Sequence, residues 1–222
     1  MLLQAENLQK EYKRGGEPFL ALNDVSLAIG KEDFILITGR SGSGKSTLLN
    51  LLAGLLPPTQ GTVVFNGQKF SNLRDDELSR LRNEQIGFIP QGQSLLPNLT
   101  VLDNVLLPFR FYRSGQGPVD KAWGLLEQMG IPHLRNAYPG ELSGGELRRI
   151  TIARGLINSP ALLLADEPTG DLDPETGGEV MKLFSSVARS GVAIVLVTHN
   201  PEFIPYGNRH WIMERGRLVE PA

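Results

Sequence analysis

Several short stretches of this chain hold side chains suited to work on a phosphorylated ligand. GRSGSGKS (39–46) fits G-x-x-x-x-G-K-[ST] and stands between an apolar run, FILIT, and a helical pattern. Its glycines let the backbone wrap an anion, and successive N–H groups with a helix N-terminus behind them face it. Lys45 would reach the β- and γ-phosphates and the Ser46 hydroxyl would ligate Mg²⁺. The plain alternative is a glycine-rich strand–helix turn without a ligand. ALLLADEP (161–168) runs a buried strand into Asp166 and Glu167. Ligands of open α/β sheets sit beyond the carboxyl ends of strands, so Asp166 arrives where a second Mg²⁺ anchor belongs. Glu167 could take a proton from an attacking water. A solvated strand-end carboxylate pair is the alternative.

Two more polar residues end apolar runs. His199 follows VAIVLVT and could donate to a γ-phosphate, or be a lone strand-end histidine. Gln91, in GFIPQG (87–92), could touch Mg²⁺ or the attacking water, but signals little alone. LSGGE (142–146) opens a second helical stretch, ELRRITIARGLIN, which stops before Pro160. Two glycines at a helix N-terminus suit an anion. Ser143 with Glu146 three residues on is also a capping box. The Ser143 hydroxyl can accept from a backbone N–H and still donate to a phosphate oxygen. Glu146 puts a carboxylate beside that site and is expected to turn back onto the cap.

These residues need a parallel sheet to position them. FILIT (34–38), ALLLA (161–165) and VAIVLV (192–197) read as buried strands alternating with helical patterns. KSTLLNLLAGLL (45–56) reads as a helix stopped by Pro57 and Pro58. GTVVFNG (61–67) and the hairpin-like WIMERGRLVE (211–220) look antiparallel. The middle of the chain, from about residue 72, changes to helical patterns and loops around SGQGP (114–118). The expected fold is α/β: a P-loop core with a mostly parallel sheet, an N-terminal antiparallel β subdomain, and an α-helical subdomain at roughly 92–145. All of 1–222 is read as one domain.

Composition narrows the partners. With 222 residues, 41% hydrophobic and 21% charged, the chain can bury a real core and reads as globular. A net charge of −2 gives no pull toward nucleic acid or anionic lipid. There is no cysteine, so disulfides and thiolate metal sites are excluded. MLLQAENLQKEYKRGG lacks the apolar core of a signal peptide, and no apolar run is long enough to span a bilayer. The expectation is a cytoplasmic protein that meets any membrane through a partner.

The order P-loop, Gln91, LSGGE, ADEP, GDLD (170–173) and His199 resembles the ATP-binding cassette (ABC) ATPase family along nearly the whole chain. That resemblance implies ATP and Mg²⁺ as ligands, and two cassettes packed head to tail. Each ATP would then lie between one subunit's P-loop and the other's LSGGE. It implies ATP contacts from Gly39, Arg40, Ser41, Gly42, Ser43, Gly44, Lys45, Ser46 and Thr47, and γ-phosphate contacts to the partner's ATP from Leu142, Ser143, Gly144, Gly145 and Glu146. Tyr12, in QKEY, resembles the aromatic that stacks on adenine; a surface or core tyrosine is the alternative. Asp173 resembles the aspartate that crosses the dimer interface, and is otherwise a turn residue. By the same resemblance the catalytic set is Glu167, His199, Lys45 and Gln91, and the metal set is Ser46, Gln91 and Asp166.

RLRNEQIGFIPQGQSLLPNLTVLDNVLLP (80–108), LSGGE and LADEPTGDLD resemble a narrower branch of lipoprotein-releasing, macrolide-exporting and cell-division cassettes. The branch implies a transmembrane permease partner, a place on the inner face of the membrane, and export or extraction of a lipophilic or peptide-like substrate. Pro90, Leu147 and GDLD in place of GNLD depart from its pattern. The apolar stretch 94–113 either receives the permease or fills the helical subdomain with Leu95, Leu96, Val101, Leu102, Val105 and Leu106. A DNA-repair-type ATPase with the same head is the rival. Its motifs are split by long insertions, whereas here LSGGE ends at 146 and LADEP begins at 164. No nucleic-acid partner is expected.

Overall fold

The structure is a computed structural model that describes residues 1–92, 94–112 and 117–220. Within SGQGP, residues 114–116 therefore lie outside the described residues, as does Arg113 of the apolar stretch. The architecture is the expected α/β class. A four-stranded antiparallel sheet holds β1 (Leu3–Arg14), β2 (Glu17–Ile29), β4 (Gln60–Phe65) and β5 (Gln68–Lys69), in the order β2-β1-β4-β5. A six-stranded sheet holds β3 (Phe34–Thr38), β6 (Ile86–Ile89), β7 (Leu162–Asp166), β8 (Ala193–Thr198), β9 (Arg209–Glu214) and β10 (Arg217–Val219), in the order β10-β9-β3-β8-β7-β6. All its pairings are parallel except β9 with β10.

The continuous apolar strands follow from being covered on both faces. Ile35, Ile37, Leu162, Leu164, Val195 and Val197 face one core, shared with the antiparallel sheet and α1 (Lys45–Leu52). Their alternate neighbours, Leu36, Leu163, Ala165, Ile194 and Leu196, face a second core. That second core is closed by α3 (Val101–Arg110), α4 (Val119–Gln128), α5 (Gly144–Leu156) and α6 (Pro174–Arg189). The period-two alternation thus sends one strand's side chains into two separate cores. A further helix, α2 (Asp75–Gln85), is mostly polar and precedes β6.

Two expectations need correction. The first helix ends at Leu52, not at the prolines: Ala53 caps it and Gly54 turns the chain at φ +64°. WIMERGRLVE does form an antiparallel hairpin, but its first strand also pairs parallel with β3, so it completes the main sheet. In the apolar stretch, Val101, Val105 and Leu106 are buried, whereas Leu96 is exposed and Leu95 and Leu102 are partly so. Core filling therefore claims the first three residues.

Candidate active site

β3 ends at Thr38 in the middle of the parallel sheet, and the chain turns at once into the glycine loop. Gly44 caps α1 at φ +112°, and a Cβ there would sit 2.6 Å from the Ala21 carbonyl oxygen, so only glycine fits. The loop is braced from outside by the Gly216 N–H, which donates to the Ser43 carbonyl at 2.9 Å. α1 begins with no side-chain cap and no acidic residue in its first turn, which leaves its N–H groups and positive end free for an anion. Lys45 is buried; its Nζ donates to the carbonyls of Gly39 at 2.7 Å and Arg40 at 3.2 Å. The same Nζ lies 3.5 Å from Glu167 Oε1.

Asp166 ends β7 and is buried. Burial pushes its carboxyl up, against the Ser46 hydroxyl and the Lys45 charge, which favour the ionised form. Its Oδ1 is buried without a hydrogen-bond partner. An orphaned carboxylate oxygen beside a serine hydroxyl fits a hard divalent cation, which takes one or two protein oxygens and completes its shell with water and phosphate. Glu167 follows in the left-handed region at φ +46°, a strained conformation for a non-glycine residue. Its Oε2 accepts from the His199 backbone N–H at 3.1 Å and lies 2.9 Å from His199 Nδ1. A carboxylate only accepts, so Nδ1 carries the proton.

These strand ends open into one cleft of about 590 Å³. It is lined by Tyr12, Ser41, Gly42, Gly44, Lys45, Ser46, Thr47, Gln91, Glu167 and His199. Gly39, Arg40 and Ser43 belong to the loop but do not line the cleft. Phe19 and Ala21 do line it and were not among the expected contacts. Phe19 pairs directly with Tyr12 across β1 and β2, and both rings are exposed, at 46% and 38%. The signal was available: GG at 15–16 is a hairpin turn that brings the two aromatics opposite each other.

The LSGGE residues are absent from that cleft. Ser143 caps α5, and Glu146 Oε2 accepts from the Ser143 backbone N–H and hydroxyl, both at 2.8 Å. Those two donors hold the Glu146 carboxyl below its ordinary range. Gly144 instead lines a separate cavity of about 310 Å³, together with Gly92, Leu147, Arg148, Asp171 and Leu172. Asp173 is exposed at the start of α6, where its carboxylate accepts from the Thr176 N–H at 3.0 Å. One group of expected residues thus meets in the cleft, and the other lies apart from it.

Against known families, residues 22–170 match the family described as ABC transporter. The chain belongs to that family. By that membership and by the cleft just described it is an ATPase. The cassette is similar to MJ0796, a bacterial ABC transporter cassette, in its dimeric structure: 38% identity, TM-score 0.91, covering 99% of this chain and 97% of that one. The same coverage, identity and score hold for MJ0796 in a dimeric post-hydrolysis state bound to ADP and Pi. CbiO1 from Clostridium perfringens, part of the ABC transporter complex cbiONQ, matches at 29% identity and TM-score 0.84, over 98% of this chain and 86% of that one.

Proposed function

We propose that residues 1–222 form a single ATP-hydrolysing domain whose catalytic unit is a pair of cassettes enclosing two ATP molecules. One observation carries the reading: the cleft is lined by the P-loop, Gln91, Glu167 and His199, with Asp166 buried at the end of the adjoining strand, while the second glycine-led helix head, Ser143–Glu146, lines none of it. A second cassette supplies that head in trans. The dimeric structures of MJ0796, at 38% identity, support the pairing.

Each residue then has a role. Tyr12 stacks on the base, and the loop from Gly39 to Thr47 wraps the phosphates. Lys45 leaves its carbonyl partners for the β- and γ-phosphates. Ser46 and Asp166, with Gln91, would hold Mg²⁺, which would supply positive charge against the phosphate oxygens. Glu167 takes a proton from water as the new oxygen–phosphorus bond forms and the bond to the ADP oxygen breaks. His199 fixes the Glu167 carboxylate through two contacts and turns its remaining ring nitrogen to the γ-phosphate. Asp173 crosses to the other cassette.

The cassette drives a transmembrane permease from the inner face of the membrane, in export or extraction of a lipophilic or peptide-like substrate. No helix among the described residues is long and apolar enough to cross a membrane. A groove of about 630 Å³ bordered by Leu55, Phe88, Phe111 and Tyr112, with Arg82 and Arg154, suits a permease helix. Phe111 is 70% exposed there, although apolar residues dominate the wall.

Light scattering of Glu167→Gln after gel filtration tests the pairing. The expected result is monomer without nucleotide, dimer with ATP and Mg²⁺, and monomer again when Ser143→Arg is added. A monomer throughout, with ATP bound, rules out the homodimer.

A further inference from the structure

The two ends of this proposed chemistry are joined by one buried arginine. Arg148 lies on α5, five residues after Ser143, or about 7.5 Å along the helix at 1.5 Å per residue. It is 7% exposed, and burial lowers its affinity for a proton while the Asp171 charge raises it. A buried guanidinium has five donors and must find acceptors. Its Nη1 donates to the Pro90 carbonyl at 3.3 Å. That carbonyl and the Gln91 N–H belong to one planar peptide unit, so holding the oxygen fixes the plane from which Gln91 starts. On the far side of Gln91, Arg154 of the same helix donates to the Ser94 carbonyl at 2.7 Å. α5 therefore grips the chain on both sides of Gln91, and Arg148 and Asp171 share the wall of the cavity that Gly144 also lines.

We infer that Arg148 is a positioning residue that sets Gln91 in its own cleft according to the position of the LSGGE helix. It does not touch ATP. The Ser143 end of α5 faces the other cassette's nucleotide, while Arg148 holds the peptide leading into Gln91, which serves the chain's own nucleotide. Movement of α5 on closure carries the Pro90–Gln91 peptide with it. The GDLD turn enters the same junction through Asp171, the residue that departs from GNLD. The inference rests on the reading of Gln91 and LSGGE given above.

A double-mutant cycle on ATPase turnover of the full chain tests it. Arg148→Met keeps the apolar stem and removes the donor. We expect about a tenfold fall in kcat, with KM for ATP nearly unchanged, the size of one lost charge-assisted hydrogen bond. Arg148→Lys restores part of the loss. In a Gln91→Ala background the Met substitution has no further effect, because the residue it acts through is gone. Independent, multiplying losses from the two sites overturn the positioning role and leave the reading of Gln91 intact. A normal kcat in Gln91→Ala overturns that reading and the inference with it. A normal kcat in Arg148→Met, or unfolding of both Arg148 variants, overturns the inference alone.

Discussion

His199 holds Glu167 twice: its backbone N–H and its Nδ1 both converge on the same carboxylate oxygen, at 3.1 and 2.9 Å. One contact comes from the main chain and is open to any residue at 199 except proline. The other depends on the ring. Glu167 itself sits at φ +46°, so its carboxylate is aimed by a strained backbone and steadied by a neighbouring strand.

Glu167→Gln keeps the shape of the side chain and removes the proposed base. Turnover is expected to fall by about 10²–10⁴-fold, with ATP affinity close to wild type. Steady-state phosphate release and equilibrium ATP binding check both halves, and near-normal turnover removes Glu167 from the role of base.

Phe19 and Tyr12 are cross-strand partners that both line the cleft. Tyr12→Ala is expected to raise KM for ATP about tenfold with kcat nearly unchanged, since stacking acts on bound and reacting nucleotide alike. Phe19→Ala gives a smaller rise in the same direction. A fall in kcat at fixed KM would place the rings in the chemistry instead.

Glu146→Gln preserves the capping box, because either side chain can accept from the Ser143 N–H. The Glu146 carboxyl is held below its ordinary 4.5 by Ser143. A depressed carboxyl contributes stability that is present above about pH 4.5 and lost as pH falls through its lower folded value. Wild type is therefore expected to exceed the variant in Tm by about 1–2 °C near neutrality, narrowing on acidification. A difference that stays constant with pH would contradict this.

Asn104 is fully buried, and its amide ties together the turn before α3. Its Oδ1 accepts from the Leu96 N–H at 2.8 Å, and its Nδ2 donates to the carbonyls of Leu96, Leu99 and Thr100 at 3.0–3.1 Å. Asn104→Ala takes the side-chain partner from the Leu96 N–H and the Leu99 carbonyl, while the Leu96 and Thr100 carbonyls keep their backbone donors, so stability is expected to drop by about 2–4 kcal/mol in denaturant unfolding. Asn104→Asp should fare no better, because a carboxylate cannot donate to three carbonyls.

Much of this arrangement was legible in the residues. FILIT occupies the strand limits read from its apolar run, and the other two buried strands are displaced by only one residue. A strand buried on both faces leaves an unbroken apolar run that sequence shows plainly. The first helix was drawn too long because AGLL continues the apolar pattern, whereas Gly54 adopts a left-handed turn that ends it. The parallel partner of β9 could not be read, since pairing across the long separation from β3 leaves no local trace. Phe19 was missed because its role depends on register with Tyr12, and Arg148 because a charged residue inside a helical run looks like an exposed one. Periodicity gave elements; contacts between distant segments required the fold.

Lys45 stands 3.5 Å from Glu167 and both side chains are nearly enclosed. The cation proposed for phosphate therefore pairs with the carboxylate proposed as base. In the proposed function, a phosphate that takes the lysine would free the carboxylate. One ion pair thus ties the two proposed tasks of the site together: whatever draws Lys45 away also changes the setting of the carboxylate.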